Sequence, residues 1–351
     1  MPEKKRGMKT ICIFNPAFLG DAVLTLPLIQ TVAAEYPDAK LHYVVRKHVG
    51  PAFMGQPEIM RVWEFDKRGG QKGLFGAVSF GRQLAQQKPD LVISAHLSLR
   101  SGIAVKAMGA KRRIGYAESA MSGLFYTDRV SRRFDEMDEI ERLLLLADPL
   151  GIENKITTPR YEPPKVARAT ALEFFEHKVT RPVLGVHPGS TWPTKKWPAE
   201  NFGEIIGRAA HAGYSVLVFS GQKETFDAAA AITAAGDLPP GRVHNLGGRL
   251  TLEELAAYLG LLDCYLTNDS GPMHLAWIQG TPVDAVFGPT VEKLGFFPRG
   301  EASTVHQAEL PCRPCSLHGP EKCPEGHHDC MNKITPDQVW ASVKSKLEAA
   351  G

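Results

Sequence analysis

Four short segments combine residue types that bind or activate substrates. The run Asn15-Pro16-Ala17-Phe18-Leu19-Gly20-Asp21 follows an apolar strand pattern. Gly20 permits a tight turn, and Asp21 falls where a helical pattern begins. An aspartate there either caps the helix or stands as a carboxylate poised to take a proton. The second run is His187-Pro188-Gly189-Ser190-Thr191, followed by Lys195 and Lys196. The hydroxyls of Ser190 and Thr191 and the ammonium of Lys195 suit phosphate oxygens; the alternative is a helix cap with solvated lysines. The third is Ser220-Gly221-Gln222-Lys223-Glu224, an acid after a strand. It suits a ribose hydroxyl, or is simply solvated at a helix start. The fourth is Asn268-Asp269-Ser270-Gly271-Pro272-Met273-His274. Gly271 lets backbone amides approach a ligand, and the helix that Pro272 starts could face a diphosphate with its positive end. Asp269 could hold a sugar hydroxyl or orient the amides. His274 either touches a phosphate or packs in the core.

Four of the six cysteines, Cys312, Cys315, Cys323 and Cys330, fall within nineteen residues with spacing C-x2-C-x7-C-x6-C. Four thiolates can close a tetrahedral zinc or iron site. The segment is rich in Pro and Gly and cannot build a core of its own, so a structural metal would supply cohesion. Reduced thiols in a surface loop are the alternative. Cys12 and Cys264 lie in apolar runs and are expected to be buried. Arg100, Lys106, Lys111, Arg112 and Arg113 fall in a stretch without acids, residues 97–117. With Arg46, Lys47 and His48 they form either a solvated face or a patch for an anionic acceptor or lipid surface.

What must position these groups is a run of alternating strands and helices. Strand patterns fall at residues 9–14, 41–45, 62–65, 91–94, 183–186, 215–220, 262–267 and 283–287. Helical patterns fall at 21–35, 74–87, 101–108, 136–147, 197–210, 272–279 and 335–349. A further helix starts at Lys223, and a capping box joins Thr251 to Glu254. Such alternation predicts parallel sheets covered on both faces. The proline-rich stretch 156–165 marks a domain edge. The chain therefore reads as two α/β halves with a cleft expected between them.

The sequence has 351 residues, 41 Lys+Arg and 38 Asp+Glu, too balanced for a nucleic-acid partner to follow from charge. No apolar run reaches the ~20 residues of a membrane span. Met1–Arg6 is basic without an apolar signal region, so a cytoplasmic protein is expected. The absence of G-x-G-x-x-G after the first strand disfavours a nicotinamide dehydrogenase. The absence of G-x-S-x-G disfavours a serine hydrolase.

Several runs in this order resemble glycosyltransferase family 9, the heptosyltransferases of lipopolysaccharide: F-L-G-D-A-V-L-T-L-P-L near the start, R-R-I-G-Y at residues 112–116, H-P-G-S-T-W-P-T-K-K-W-P at 187–198 and T-N-D-S-G-P-M-H-L-A at 267–276. The cysteine segment resembles the tail of the heptosyltransferase II branch. The resemblance implies a GT-B fold, two Rossmann-like domains facing across a cleft. An acceptor-binding domain would span 1–160. A nucleotide-sugar-binding domain would span 166–334 and carry the cysteine loop 312–330, before a terminal helix 335–351. It implies inverting transfer of heptose from ADP-heptose to an anionic lipid-linked sugar, without a catalytic cofactor. It also implies peripheral contact at the inner face of the inner membrane. Asp21 would be the base. Ser190, Thr191 and Lys195 would meet the diphosphate beside the Asp269-Ser270-Gly271 turn, with ribose or adenine near Gln222 and Glu224. Protein-directed relatives carry a cysteine-bound iron, which keeps a structural zinc or iron open here. Competing readings are a protein-directed heptosyltransferase, another GT-B transferase, and a non-catalytic nucleotide-binding module.

Overall fold

A computed structural model describes residues 7–351; Met1–Arg6, with their basic run, lie outside the described residues. The chain divides into two compact units between Glu162 and Pro163. The first holds β1 (Thr10–Phe14), β2 (Lys40–Arg46), β3 (Arg61–Phe65), β4 (Leu91–Ser94), β5 (Arg112–Tyr116) and β6 (Asp128–Val130). The second holds β7 (Val183–His187), β8 (Ser215–Val218), β9 (Val243–Asn245), β10 (Cys264–Asn268), β11 (Val283–Phe287) and β12 (Thr304–Gln307).

Each unit is one six-stranded parallel sheet, ordered β3-β2-β1-β4-β5-β6 in the first and β12-β11-β10-β7-β8-β9 in the second. Counted from its own first strand, each has the Rossmann order 3-2-1-4-5-6. The order reverses between β1 and β4 in one unit and between β7 and β10 in the other. The central strands read as unbroken apolar runs, such as Thr10–Phe14, buried throughout. This is the pattern of a sheet covered on both faces.

One core gathers Phe14, Phe65, Phe80 and Val92 in the first unit. Phe65 and Phe80 stack there with ring centroids 4.7 Å apart. The other core gathers Val186, Ile206, Val216 and Leu266. The helix Pro336–Ala350 joins this core through Val339, Val343 and Leu347, spaced one turn apart on one stripe. Thr335 caps it with a full capping box to Gln338, and Thr251 caps its own helix through Glu254.

The structure adds four strands that periodicity does not mark: β5, β6, β9 and β12. It also adds the helix Lys165–Lys178. The expected helix over 21–35 is two, Leu19–Leu24 and Leu26–Glu35, joined at Thr25. Among the described residues no helix is long and apolar enough to cross a membrane.

Candidate active site

In the second unit the loops after β7 and β10 meet at the switch point. β7 and β10 are paired with Thr267 opposite His187. Asn268, buried at the end of β10, donates through Nδ2 to the Pro188 carbonyl at 2.8 Å. Its Oδ1 accepts from the Trp197 amide at 3.0 Å. One side-chain amide thus ties together the loops that carry Lys195 and Asp269. Lys195 ends the short turn Pro193–Lys195 and is only 8% exposed. Its Nζ donates to Asp269 Oδ2 at 2.5 Å, and Thr290 Oγ1 donates to the same oxygen at 2.6 Å. The carboxylate fixes the ammonium at the end of the sheet where ligands enter such folds. It also compensates a charge whose burial alone would be costly.

The neighbouring groups are held as firmly. Ser190 is buried, and its Oγ accepts from the Trp192 amide at 3.4 Å; Thr191 is exposed. His187 links Tyr265, 3.0 Å from Nδ1, to Glu224, 3.6 Å from Nε2. The proximity of His187 holds the Glu224 carboxyl below its usual range, against the opposing effect of burial. A Cβ at Gly189 would lie 2.7 Å from Glu224 Oε2, so a side chain there would push the Glu224 carboxylate aside. Gln222 is exposed in the turn that the Glu224 amide closes onto the Gly221 carbonyl at 2.9 Å. Ser270 precedes the helix Gly271–Trp277, its hydroxyl 3.2 Å from Thr267 Oγ1. His274 lies in the core, its Nδ1 accepting from Trp277 Nε1 at 3.0 Å. Burial pushes its pKa down to about 4, so the ring is neutral.

In the first unit, Gly20 and Asp21 are the second and third residues of the helix Leu19–Leu24, directly after β1. The Asp21 carbonyl accepts from Thr25 Oγ1 at 2.8 Å and from Asn15 Nδ2 at 3.4 Å, which pins the turn. Lys67, just past β3, is the cation most perturbed by its surroundings. Burial, then Arg46, Arg100 and Arg68, push its pKa down to about 8, while Asp21 pulls the other way. Lys67 Nζ lies 3.4 Å from His96 Nε2, and Arg100 Nη1 donates to the Lys67 carbonyl at 3.0 Å. Burial, with Lys67 and Arg100 nearby, pushes His96 down to about 3. Arg46 lies 4.7 Å over the Phe18 ring. The strand ends around Asp21 therefore carry a concentration of positive charge suited to an anion.

Several members of the expected basic patch are paired within the first unit. Arg112 is tied to Asp128 at 3.0 Å and to the Pro149 carbonyl. Arg113 donates to the Ala110 and Phe125 carbonyls, and Lys47 pairs with Asp66 at 2.9 Å. Arg46 and Arg100 group instead with Lys67 and Arg68, while His48, Lys106 and Lys111 are exposed. The metal expectation for Cys312, Cys315, Cys323 and Cys330 finds no support. Among the described residues no group of three or more His, Cys, Asp or Glu is placed to hold a metal ion. Cys330 is buried in the apolar core with Ile334 and Met331, and burial pushes its thiol up to about 11. Cys315 Sγ instead donates to the Cys312 carbonyl at 3.3 Å. Cys12 and Cys264 are buried, as their apolar runs imply.

Sequence reasoning assigned no individual role to Thr290, Asn268 or Lys67. Each stands at or just past the carboxyl end of a strand, the one signal that could have found them.

Comparison with known proteins adds to this geometry. The model of glycosyltransferase family 9 (heptosyltransferase) matches residues 77–323. Lipopolysaccharide heptosyltransferase 2 of Escherichia coli (strain K12) is 23% identical over 347 residues, covering 96% of this chain and 98% of that protein. The crystal structure of a family 9 glycosyl transferase from Veillonella parvula DSM 2008 superposes with a TM-score of 0.84 at 22% identity, covering 97% of this chain and 98% of the other. E. coli ADP-heptose lps heptosyltransferase II gives 0.78 at 22% identity, covering 97% and 99%. Both likenesses fit the GT-B architecture of two Rossmann-like units. With a family match over well more than half of its length, this chain belongs to glycosyltransferase family 9, the heptosyltransferases.

Proposed function

We propose that the protein moves heptose from ADP-heptose to an anionic, lipid-linked sugar of the lipopolysaccharide inner core, with inversion at the anomeric carbon. The observation that carries this reading is the Lys195–Asp269–Thr290 cluster at the switch point of the second unit, which presents an anchored cation to a diphosphate. Ser190, Thr191 and the amides at Gly271 add hydrogen-bond donors for phosphate oxygens. Glu224, with Gln222 beside it, accepts from ribose hydroxyls, since its carboxyl is held ionised by His187. Asp21 takes the proton from the acceptor hydroxyl as that oxygen attacks the anomeric carbon. Lys195 and the amides stabilise the charge that develops on the departing ADP.

In this reading the first unit receives the acceptor and the second the donor. The cations Lys67, Arg46, Arg68 and Arg100 meet the acceptor's negative groups. The same positive charge would favour peripheral contact with anionic lipid from the cytoplasmic side. A thermal-shift panel of ADP, UDP, GDP and CMP tests the donor. ADP alone should stabilise the protein. Preference for UDP or GDP would discard the heptose donor, and no response to any of the four would overturn the reading.

A further inference from the structure

The cysteine segment carries no metal-holding group, yet it is firmly placed, and the side chain that places it is Arg313. Its guanidinium donates to the carbonyls of Gly288, Ala308, Phe287 (3.1 Å) and Thr290 (2.7 Å), and to Gln307 Oε1 at 3.3 Å. Four backbone carbonyls at the ends of β11 and β12 are thereby gathered on one planar cation. That is a task for the fixed fork of arginine rather than for the single point of a lysine. The amide of Cys315 adds a bond to the Pro289 carbonyl at 2.9 Å. The turn held in this way, residues 288–290, is the one whose Thr290 hydroxyl reaches Asp269, and Asp269 is the group that holds Lys195.

The rest of the segment closes on Lys195 from another side. Thr194 Oγ1 donates to the Pro320 carbonyl, and His328 Nε2 donates to the Thr194 carbonyl at 2.7 Å. Gly319, with φ of +83°, brings its backbone against the lysine stem: a Cβ there would lie 3.2 Å from Lys195 Cγ.

We propose that Arg313 is a positioning residue of the donor site, acting through the 288–290 turn on Thr290, Asp269 and Lys195. The proposal rests on the reading that this cluster binds the donor diphosphate. It gives the cysteine segment a role in the reaction that needs no thiol chemistry.

The test compares Arg313→Lys, Arg313→Gln, Thr290→Val, the Arg313→Lys/Thr290→Val double variant and Lys195→Ala. ADP binding is followed by calorimetry and transfer by steady-state kinetics. Arg313→Lys should raise the ADP dissociation constant and the donor KM roughly tenfold, with the acceptor KM unchanged. Thr290→Val, which leaves the segment's own bonds intact, should do the same. The double variant should be no weaker than the worse single one, since both changes cut the same link. Arg313→Gln serves if the lysine variant does not fold. Loss of thermal stability with ADP affinity intact would overturn the proposal, as would effects of Arg313→Lys and Thr290→Val that multiply. Lys195→Ala separates it from its premise. If that variant binds ADP normally, the donor-site reading itself fails and the proposal with it. If Lys195→Ala weakens ADP and the Arg313 variants do not, the proposal alone is overturned.

Discussion

Replacing Asp21 with asparagine keeps the side chain's size and its place in the first turn while removing its basicity. Turnover should fall by roughly 10²–10⁴ with ADP affinity retained, because the lost interaction belongs to the transition state and not to donor binding. Undiminished transfer by Asp21→Asn would remove this residue from the mechanism. Lys67 makes a second expectation. With its pKa pushed down to about 8, it is charged below that pH and neutral above it. Acceptor KM should therefore rise as pH climbs through about 8, and a Lys67→Met variant should show a flat profile at the higher value. A rise of equal size in both proteins would assign the titration elsewhere. Asp21, Lys195 and Asp269 were legible as candidates because each lies in a run that resembles family 9; for Asp21 the residues alone suit a plain helix cap. Asn268 lies in the same run as Asp269 and Thr290 follows β11, but their tasks depend on partners brought close only by the fold: Asp269 for Thr290, the loop after β7 for Asn268. The cysteine spacing is a different case: it records which thiols are near in sequence and says nothing of burial, and Cys330 lies in the core while still within electrostatic reach of Cys312, Cys315 and Cys323.

At the level of elements, legibility tracked how much apolar surface a segment buries. β1, β7 and β11 are wholly buried runs and stood out. β6, β9 and β12 are three- or four-residue edge strands of mostly half-buried residues, and nothing in their pattern separates them from loop. The helix Lys165–Lys178 buries only Ala167, Ala171 and Phe175, a stripe too thin to show against its charged residues. The terminal helix is the opposite case, marked by Thr335 and Pro336 at its start and by regular valines and leucine along it. Thr335→Ala removes the capping hydroxyl and should cost about 1 kcal/mol. Leu347→Ala, in the core, should cost about 2–5 kcal/mol. Denaturant titration of both variants checks the order. Equal losses would mean that the helix is held by its cap and not by its packing.

For the whole molecule, the central fact is that one topology is built twice, each time around its own core. The doubling was legible because alternation breaks once, at a proline-rich stretch, and then restarts. Two separate cores predict two unfolding transitions, and the donor-site reading predicts that a nucleotide moves only one of them. Tryptophan offers the means to tell which. Of the five tryptophans, Trp63 alone lies in the first unit, while Trp192, Trp197, Trp277 and Trp340 lie in the second. Fluorescence therefore reports chiefly on the unit that carries Lys195, whereas circular dichroism reports on both. At 100 times its dissociation constant ADP should stabilise that unit by about 2.7 kcal/mol, a rise of roughly 5–10 °C for a unit of this size. The shift should appear in the fluorescence transition and in one of the two steps seen by circular dichroism. If ADP instead moves the step that fluorescence reports only weakly, the nucleotide binds the unit of Asp21, and the division of labour proposed between the two sheets is reversed.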